Sequence, residues 1–320
     1  MPNYNGVWSL STQYQNTTGW PSPPPPLALI FGGVISGGNT NVVEQRLITT
    51  LGDASDFGDL SSARKGTNAL SSTTRAVTSG GGTGDTNVIE FFSTSAGNAT
   101  DFGDLTQNQG MSASASNGTR GTFSGGYTGG STTNVIQFIT IASTGDASDF
   151  GDLTLARDLL DGGSCSPTRA ISVGGYDSGN DARSNVIDYF TIASTGNAQD
   201  FGDLTVGRSE TSSLSSSTRG VAVGGYKADG NRANVLDYVT IASTGNATDF
   251  GDLLSGIGGS SGTSTLIRGL ISGAIETDGT ALNVMQYITI ASTGNAQDFG
   301  NLSATKYYLS ASSFGHGGLA

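Results

Sequence analysis

The chain has 320 residues, of which 50 are glycine and only 12% are charged, and its formal net charge is -12. Fourteen dispersed Lys and Arg residues argue against a phosphate-neutralising surface, so no nucleic-acid partner is expected. One cysteine, Cys165, and one histidine, His316, exclude an intrachain disulfide, multi-cysteine and multi-histidine metal centres, and a Ser-His-Asp triad repeated along the chain.

The first 26 residues form a leader of their own, ahead of a domain spanning residues 27–320. The leader holds both tryptophans, Trp8 and Trp20, with Tyr4, Tyr14 and the run Pro23-Pro24-Pro25-Pro26. The prolines predict an extended polyproline II spacer, and Gly6-Val7-Trp8-Ser9-Leu10 a short strand with Trp8 and Leu10 on one face. Such a leader either packs on its own domain or anchors the chain to another subunit, with Trp8, Tyr14 and Trp20 as the interface candidates. The start has no secretory signal's basic and apolar regions, and no stretch approaches the roughly 20 apolar residues of a membrane span. Synthesis in a cytoplasm, without signal peptide or membrane insertion, is expected.

From residue 27 onward the chain repeats. Asp-Phe-Gly-Asp-Leu recurs around Phe57, Phe102, Phe150, Phe201 and Phe250, and Asp-Phe-Gly-Asn-Leu around Phe299, at successive spacings of 45, 48, 51, 49 and 49 residues. A period of this length marks a closed or stacked array of one supersecondary unit, so the six phenylalanines are read as structural. Eleven of the 26 acidic residues are the motif's own Asp positions, which makes the repeat a main source of the acidity.

One unit parses into four short strands. Small residues from Ser212 to Ser216 come first, then the apolar Gly220-Val221-Ala222-Val223-Gly224-Gly225-Tyr226, then the β-branched and aromatic run from Asn234 to Ile241. After a Ser243-Thr244-Gly245-Asn246 turn, residues 247–253 supply the outermost strand. The segment 302–313 matches the start of a unit, while Leu27-Ala28-Leu29-Ile30-Phe31-Gly32-Gly33 and Asn41-Val42-Val43 match a second and third strand. An all-β, six-bladed β-propeller with one blade closed by both termini follows, an arrangement that removes an open edge and clasps the ring.

In such a blade the first-to-second and third-to-fourth turns share one face, and the second-to-third loops share the other with the inter-blade links. The first face is regular: Thr74-Arg75, Thr119-Arg120, Thr168-Arg169 and Thr218-Arg219 repeat, as do the Ser-Thr-Gly-Asn turns. Arg75, Arg120, Arg169, Arg219 and Arg268 are expected to pair with the first Asp of neighbouring outer strands. The opposite face varies, from Gly82-Thr83-Gly84-Asp85 to Glu276-Thr277-Asp278-Gly279. Its recognition candidates are Tyr176, Asp177 and Arg183 in one loop and Tyr226, Lys227 and Arg232 in the next, because a rigid scaffold carries recognition in its variable loops.

The motif's Asn, Asp and Gly residues are oxygen-rich enough to suggest calcium, but they lack the concentrated carboxylates of a dedicated loop and read as Asx turns. Asp-Phe-Gly repeated six times, without a companion Lys and catalytic loop, is not a kinase signature. No carboxylate pair stands out from the repeat as a glycosidase would require, so neither an enzyme nor a cofactor is expected.

A strand ending in Gly-Gly, a later Asn-Val-x-x-Tyr strand, an aromatic in the outer strand and an Arg just beyond it, as in Leu153-Thr154-Leu155-Ala156-Arg157, resemble a kelch-type β-propeller repeat. The likeness covers nearly everything after Pro26, with Phe201 and its equivalents where that pattern usually has Trp. The Ser-Thr-Gly-Asn and Asp-Phe-Gly-Asp-Leu elements, together with the Gly-Val-Trp-Ser-Leu-Ser-Thr-Gln-Tyr leader and its Trp-Pro-x-Pro run, also resemble kelch-like virion proteins of marine tailed bacteriophages. That resemblance implies a non-enzymatic virion structural protein, made in the host cytoplasm and associated with a tail or fibre. Its partners would be other virion proteins, through the leader, and a host-surface glycan or protein. The alternative is a cellular carbohydrate-binding or adhesion propeller.

Overall fold

The computed structural model describes residues 26–82, 86–94, 97–160 and 163–315. Trp8, Tyr14, Trp20, His316 and part of the loop at 82–85 lie outside them. Six antiparallel sheets stand around one axis as the blades of a β-propeller, and no helix occurs among the described residues. Blades 2 to 6 span residues 68–104, 113–152, 163–203, 212–252 and 261–301 in order. Blade 1 takes its innermost strand, Ser310–Ser313, from the far end of the chain and pairs it with Leu27–Phe31, register Ala28 to Ser313. The innermost strands touch their neighbours all the way round, so the ring is closed.

Blade 5 shows why these residues form these strands. Ser212–Ser215 lies nearest the axis, where its serines leave room for six backbones while Leu214 packs into the blade interface, and Arg219–Val223 pairs with it. Val235–Thr240 follows, alternating between the two neighbouring interfaces, and Thr248–Asp252 is outermost. The last pairing contains a bulge: Gly251 lies opposite Leu236 and Asp249 opposite Asp237, so Phe250 has no counterpart. All six blades carry the irregularity at the same place, beside the motif phenylalanine. A bulge turns its extra residue out of the ladder, and here the ring turns into the interface with the following blade. Six apolar clusters result, one per interface, and Phe102, Phe150, Phe201, Phe250 and Phe299 are each 2% exposed within theirs. Phe57 packs at the edge of the sixth. Burying a phenylalanine stabilises by about 1.5–3 kcal/mol, so each motif copy joins two blades as well as completing one.

The glycine after that phenylalanine has a separate reason. Gly202 sits at φ +143°, and a Cβ there would stand 2.6 Å from the Gly245 backbone. This closeness lets the Ser-Thr-Gly-Asn turn of blade 5 bond along the outer strand of blade 4: Gly245 N donates to Phe201 O at 2.8 Å and Ala247 N to Asp203 O at 2.8 Å. Asn246 Oδ1 accepts from Asp203 N at 3.0 Å. The Asn of the motif is therefore committed to its neighbour's backbone, while the first Asp, such as Asp200, faces solvent.

A second staple lies seven residues after each phenylalanine, at Arg64, Gln109, Arg157, Arg208, Ile257 and Lys306. The carbonyl of each accepts from the preceding blade, as Arg208 O does from Gly175 N at 2.9 Å. The side chain reaches into the following blade. Arg64 pairs there with Glu90, Arg157 with Asp188 at 2.5 Å, Arg208 with Asp237 at 2.8 Å and Lys306 with Glu44 at 2.5 Å, all buried. At the same position Gln109 meets Gln137. The interface between blades 5 and 6 has Ile257, and its Gln286 accepts from Leu254 N at 3.0 Å instead. Charged partners thus face charged partners and neutral face neutral.

The arginines of the regular face do not pair with the motif aspartates. Arg219 Cζ lies 4.3 Å from the Tyr238 ring centroid, and its Nη1 donates to Ile290 O in the next blade at 2.9 Å. Arg75, Arg120, Arg169 and Arg268 repeat the arrangement on Phe91, Phe138, Tyr189 and Tyr287. Sheet register sets each guanidinium over the aromatic ring of the neighbouring strand, which attracts it through its quadrupole.

Candidate functional site

The axial channel has two different ends. On the regular face, Ser71 Oγ donates to Ser313 O at 2.7 Å, Ser116 Oγ to Ser71 O at 2.6 Å and Cys165 Sγ to Ser116 O at 3.0 Å, a girdle running from blade to blade. Burial pushes the Cys165 thiol up to about 11, so it serves as a packed donor and not as a nucleophile. Between the ends lies a cavity of about 60 Å³ lined by small residues. Ser112, Ser213 and Ser312 contribute hydroxyls without a partner among the described residues to its wall.

On the variable face the channel is framed by a ring of backbone hydrogen bonds. Gly66 N donates to Tyr308 O, Tyr308 N to Gly259 O, Gly259 N to Glu210 O, Glu210 N to Leu159 O, Leu160 N to Met111 O, and Met111 N to Gly66 O, at 2.7–3.3 Å. Each framing position lies nine residues after a motif phenylalanine and is left-handed, with φ between +52° and +60°. Glycine tolerates this conformation, but Met111, Leu159, Glu210 and Tyr308 occupy it at a cost of about 1–2 kcal/mol each. Strained residues of this kind often mark functional positions, and here they bring four unlike side chains to one mouth.

Beside that mouth the loops of blades 4 and 5 stack into a ladder. Tyr176–Asp177 pairs with Ala182–Arg183 as a small hairpin, and Tyr226–Lys227 pairs with Arg208–Ser209 in the link below it. Arg183 Cζ sits 4.9 Å from the Tyr176 ring centroid and 5.1 Å from that of Tyr226, and Arg232 Cζ lies 5.2 Å from Tyr226. Glu210 holds the far end: Arg232 Nη2 and Nε donate to its Oε2 at 2.9 and 3.2 Å, and Tyr308 Oη donates to its Oε1 at 2.7 Å. Tyr307 packs on Tyr308 at 5.1 Å. Rings and cations alternate from Tyr176 to Arg232, and Glu210 joins that run to Tyr308.

Of the sequence-predicted recognition residues, Tyr176, Arg183, Tyr226 and Arg232 come together in this ladder. Asp177 is buried instead, with Gly179 N and Asn180 Nδ2 donating to it at 2.9 and 2.6 Å. Lys227 turns to Asp229 at 2.9 Å, and the hydrogen bonds from Lys227 and Asn231 hold the exposed Asp229 carboxyl below its usual range. Glu210 and Tyr308 were missed. The available signal was their offset from the motif phenylalanine, where two other units carry glycine. Among the described residues no group of three or more His, Cys, Asp or Glu is arranged to hold a metal ion.

Comparison with known proteins finds no family model that matches the chain and no curated protein that matches its sequence.

Proposed function

We propose that the protein is a non-enzymatic recognition module, carried as a tail- or fibre-associated structural component of a tailed-phage particle with its variable face toward the host surface. One observation carries the recognition reading: around one mouth of an otherwise regular ring, the positions that depart from the repeat converge into Tyr176, Arg183, Tyr226, Arg232, Glu210 and Tyr308. Aromatic and Arg side chains on a rigid frame are what binding surfaces concentrate at their centres. The virion reading is supported by the motif resemblance of the repeat and leader, with Trp8, Tyr14 and Trp20 as the anchor. The kelch-type assignment of the blades rests on the same motif evidence. A cellular carbohydrate-binding propeller would use the same face and differ in having no particle to join.

The test is to delete residues 1–26 and follow both forms into purified particles. Full-length protein is expected in particles, located by electron microscopy with its variable face outward. The truncated form is expected to fold and be left behind. Incorporation of the truncated form would overturn the anchoring role. Absence of the full-length protein from particles, with glycan binding by the isolated chain, would favour the cellular reading.

A further inference from the structure

Among the described residues the ladder contains one cation whose side chain makes no hydrogen bond. Arg232 spends its guanidinium on Glu210 and on Glu276 O, and Lys227 is held by Asp229. Arg183, stacked between two tyrosines, makes no side-chain hydrogen bond among the described residues, and its Nε is buried without a partner. Its nearest acid is Asp181, with Oδ1 3.9 Å from Arg183 Nη1, beyond hydrogen-bond reach. Asp181 occupies the hairpin tip at φ +49° with its side chain 85% exposed. Its Oδ1 accepts from Tyr176 Oη at 2.6 Å, and Oδ2 has no protein donor among the described residues. The two tyrosines flank the guanidinium, so a partly exposed donor and an exposed acceptor stand side by side between aromatic rings.

We propose that Arg183 and Asp181, framed by Tyr176 and Tyr226, bind a neutral sugar by two adjacent hydroxyls, the guanidinium donating to them and the carboxylate accepting from them. This deepens the reading of the variable face as a recognition surface and rests on it. A hydroxyl both donates and accepts, so a vicinal pair matches a mixed donor and acceptor site, whereas a carboxylate or phosphate would meet Arg183 only by approaching exposed Asp181. The chain's net charge of -12 adds to that repulsion. Tyr176 and Tyr226 add apolar ring area beside the polar pair, as amphipathic rings do at binding surfaces generally.

The experiment uses the full chain on an array of neutral hexose oligosaccharides and their uronic-acid counterparts, with binding constants measured for the hits. Neutral glycans should bind with little dependence on salt. Arg183→Ala and Asp181→Ala should each weaken them about tenfold or more, the loss expected for a hydrogen bond to a charged group. Arg183→Lys, which keeps the charge and loses the fork, should also bind more weakly at unchanged melting temperature. Preference for uronates, weakened by salt, would overturn the neutral-diol inference and keep the face as a binding surface. If no glycan binds but Tyr226→Ala still abolishes attachment of particles to host cells, the sugar inference falls and the recognition reading stands. If neither effect is seen, both fall.

Discussion

Replacing Arg208 by glutamine tests how the blades are joined. Arg208 and Asp237 are both fully buried, 2.8 Å apart, and Asp237 also accepts from Thr205 Oγ1 at 2.8 Å. Arg208→Gln removes the charge partner and leaves a carboxylate that water cannot reach, a change that costs about 3–5 kcal/mol for a broken buried pair. At about 2 °C per kcal/mol for a domain of this size, Tm should fall by roughly 6–10 °C. The double variant Arg208→Gln, Asp237→Gln reproduces the Gln109 and Gln137 pair that already occupies this position between blades 2 and 3. It should recover most of the loss, because the buried groups are again matched and neutral. Urea and thermal unfolding of the wild type, both single variants and the double give the coupling directly. A single variant melting within about 1 °C of wild type, or a double variant no more stable than the singles, would refute the reasoning.

Two further predictions follow from the same interfaces. Burial pushes the Asp188 carboxyl above the ordinary carboxylate value, opposed by the Arg157 guanidinium and the Thr154 hydroxyl. A raised folded-state value means that its contribution is fully present below the ordinary value and is lost as pH rises through the folded one. Wild type should therefore gain stability relative to Asp188→Asn as pH falls from about 7 toward about 4, measured by urea unfolding; a relative loss would contradict this. At the rim, Gly202→Ala places a Cβ 2.6 Å from the Gly245 backbone, whereas Gly245→Ala, at φ +153°, meets nothing within 4 Å. The first should cost about 3 kcal/mol and the second about 1 kcal/mol, and equal losses would show that the turn does not hold the outer strand.

Much of the fold was legible because the repeat states it six times. The spacing of Phe57 to Phe299 predicted the number of blades, and the match of residues 302–313 to a unit's start predicted the closure seen between Leu27–Phe31 and Ser310–Ser313. Contacts between units were harder to read. Arg219 and its equivalents were assigned to aspartates on the same face, yet sheet register sets them beside the third-strand aromatic. Arg157 was visible only as the end of a motif, and its pairing with Asp188 depends on how one blade stacks on the next. Comparing all six units shows the matching of charge with charge, but only once the stacking is known. Glu210 and Tyr308 required the backbone itself, since a left-handed position leaves a sequence trace only where glycine fills it, as at Gly66 and Gly259.

The central claim is that architecture lies in what repeats and recognition in what does not. Its most direct test compares a mouth variant, Tyr176→Ala with Arg183→Ala and Tyr226→Ala, with a rim variant, Asp200→Asn with Asp203→Asn and Asp249→Asn, in attachment of labelled protein to the host cells that the proposed virion role requires. Loss of attachment in the mouth variant and retention in the rim variant are predicted, with both melting near wild type. Attachment that survives in the mouth variant and disappears in the rim variant would contradict the account.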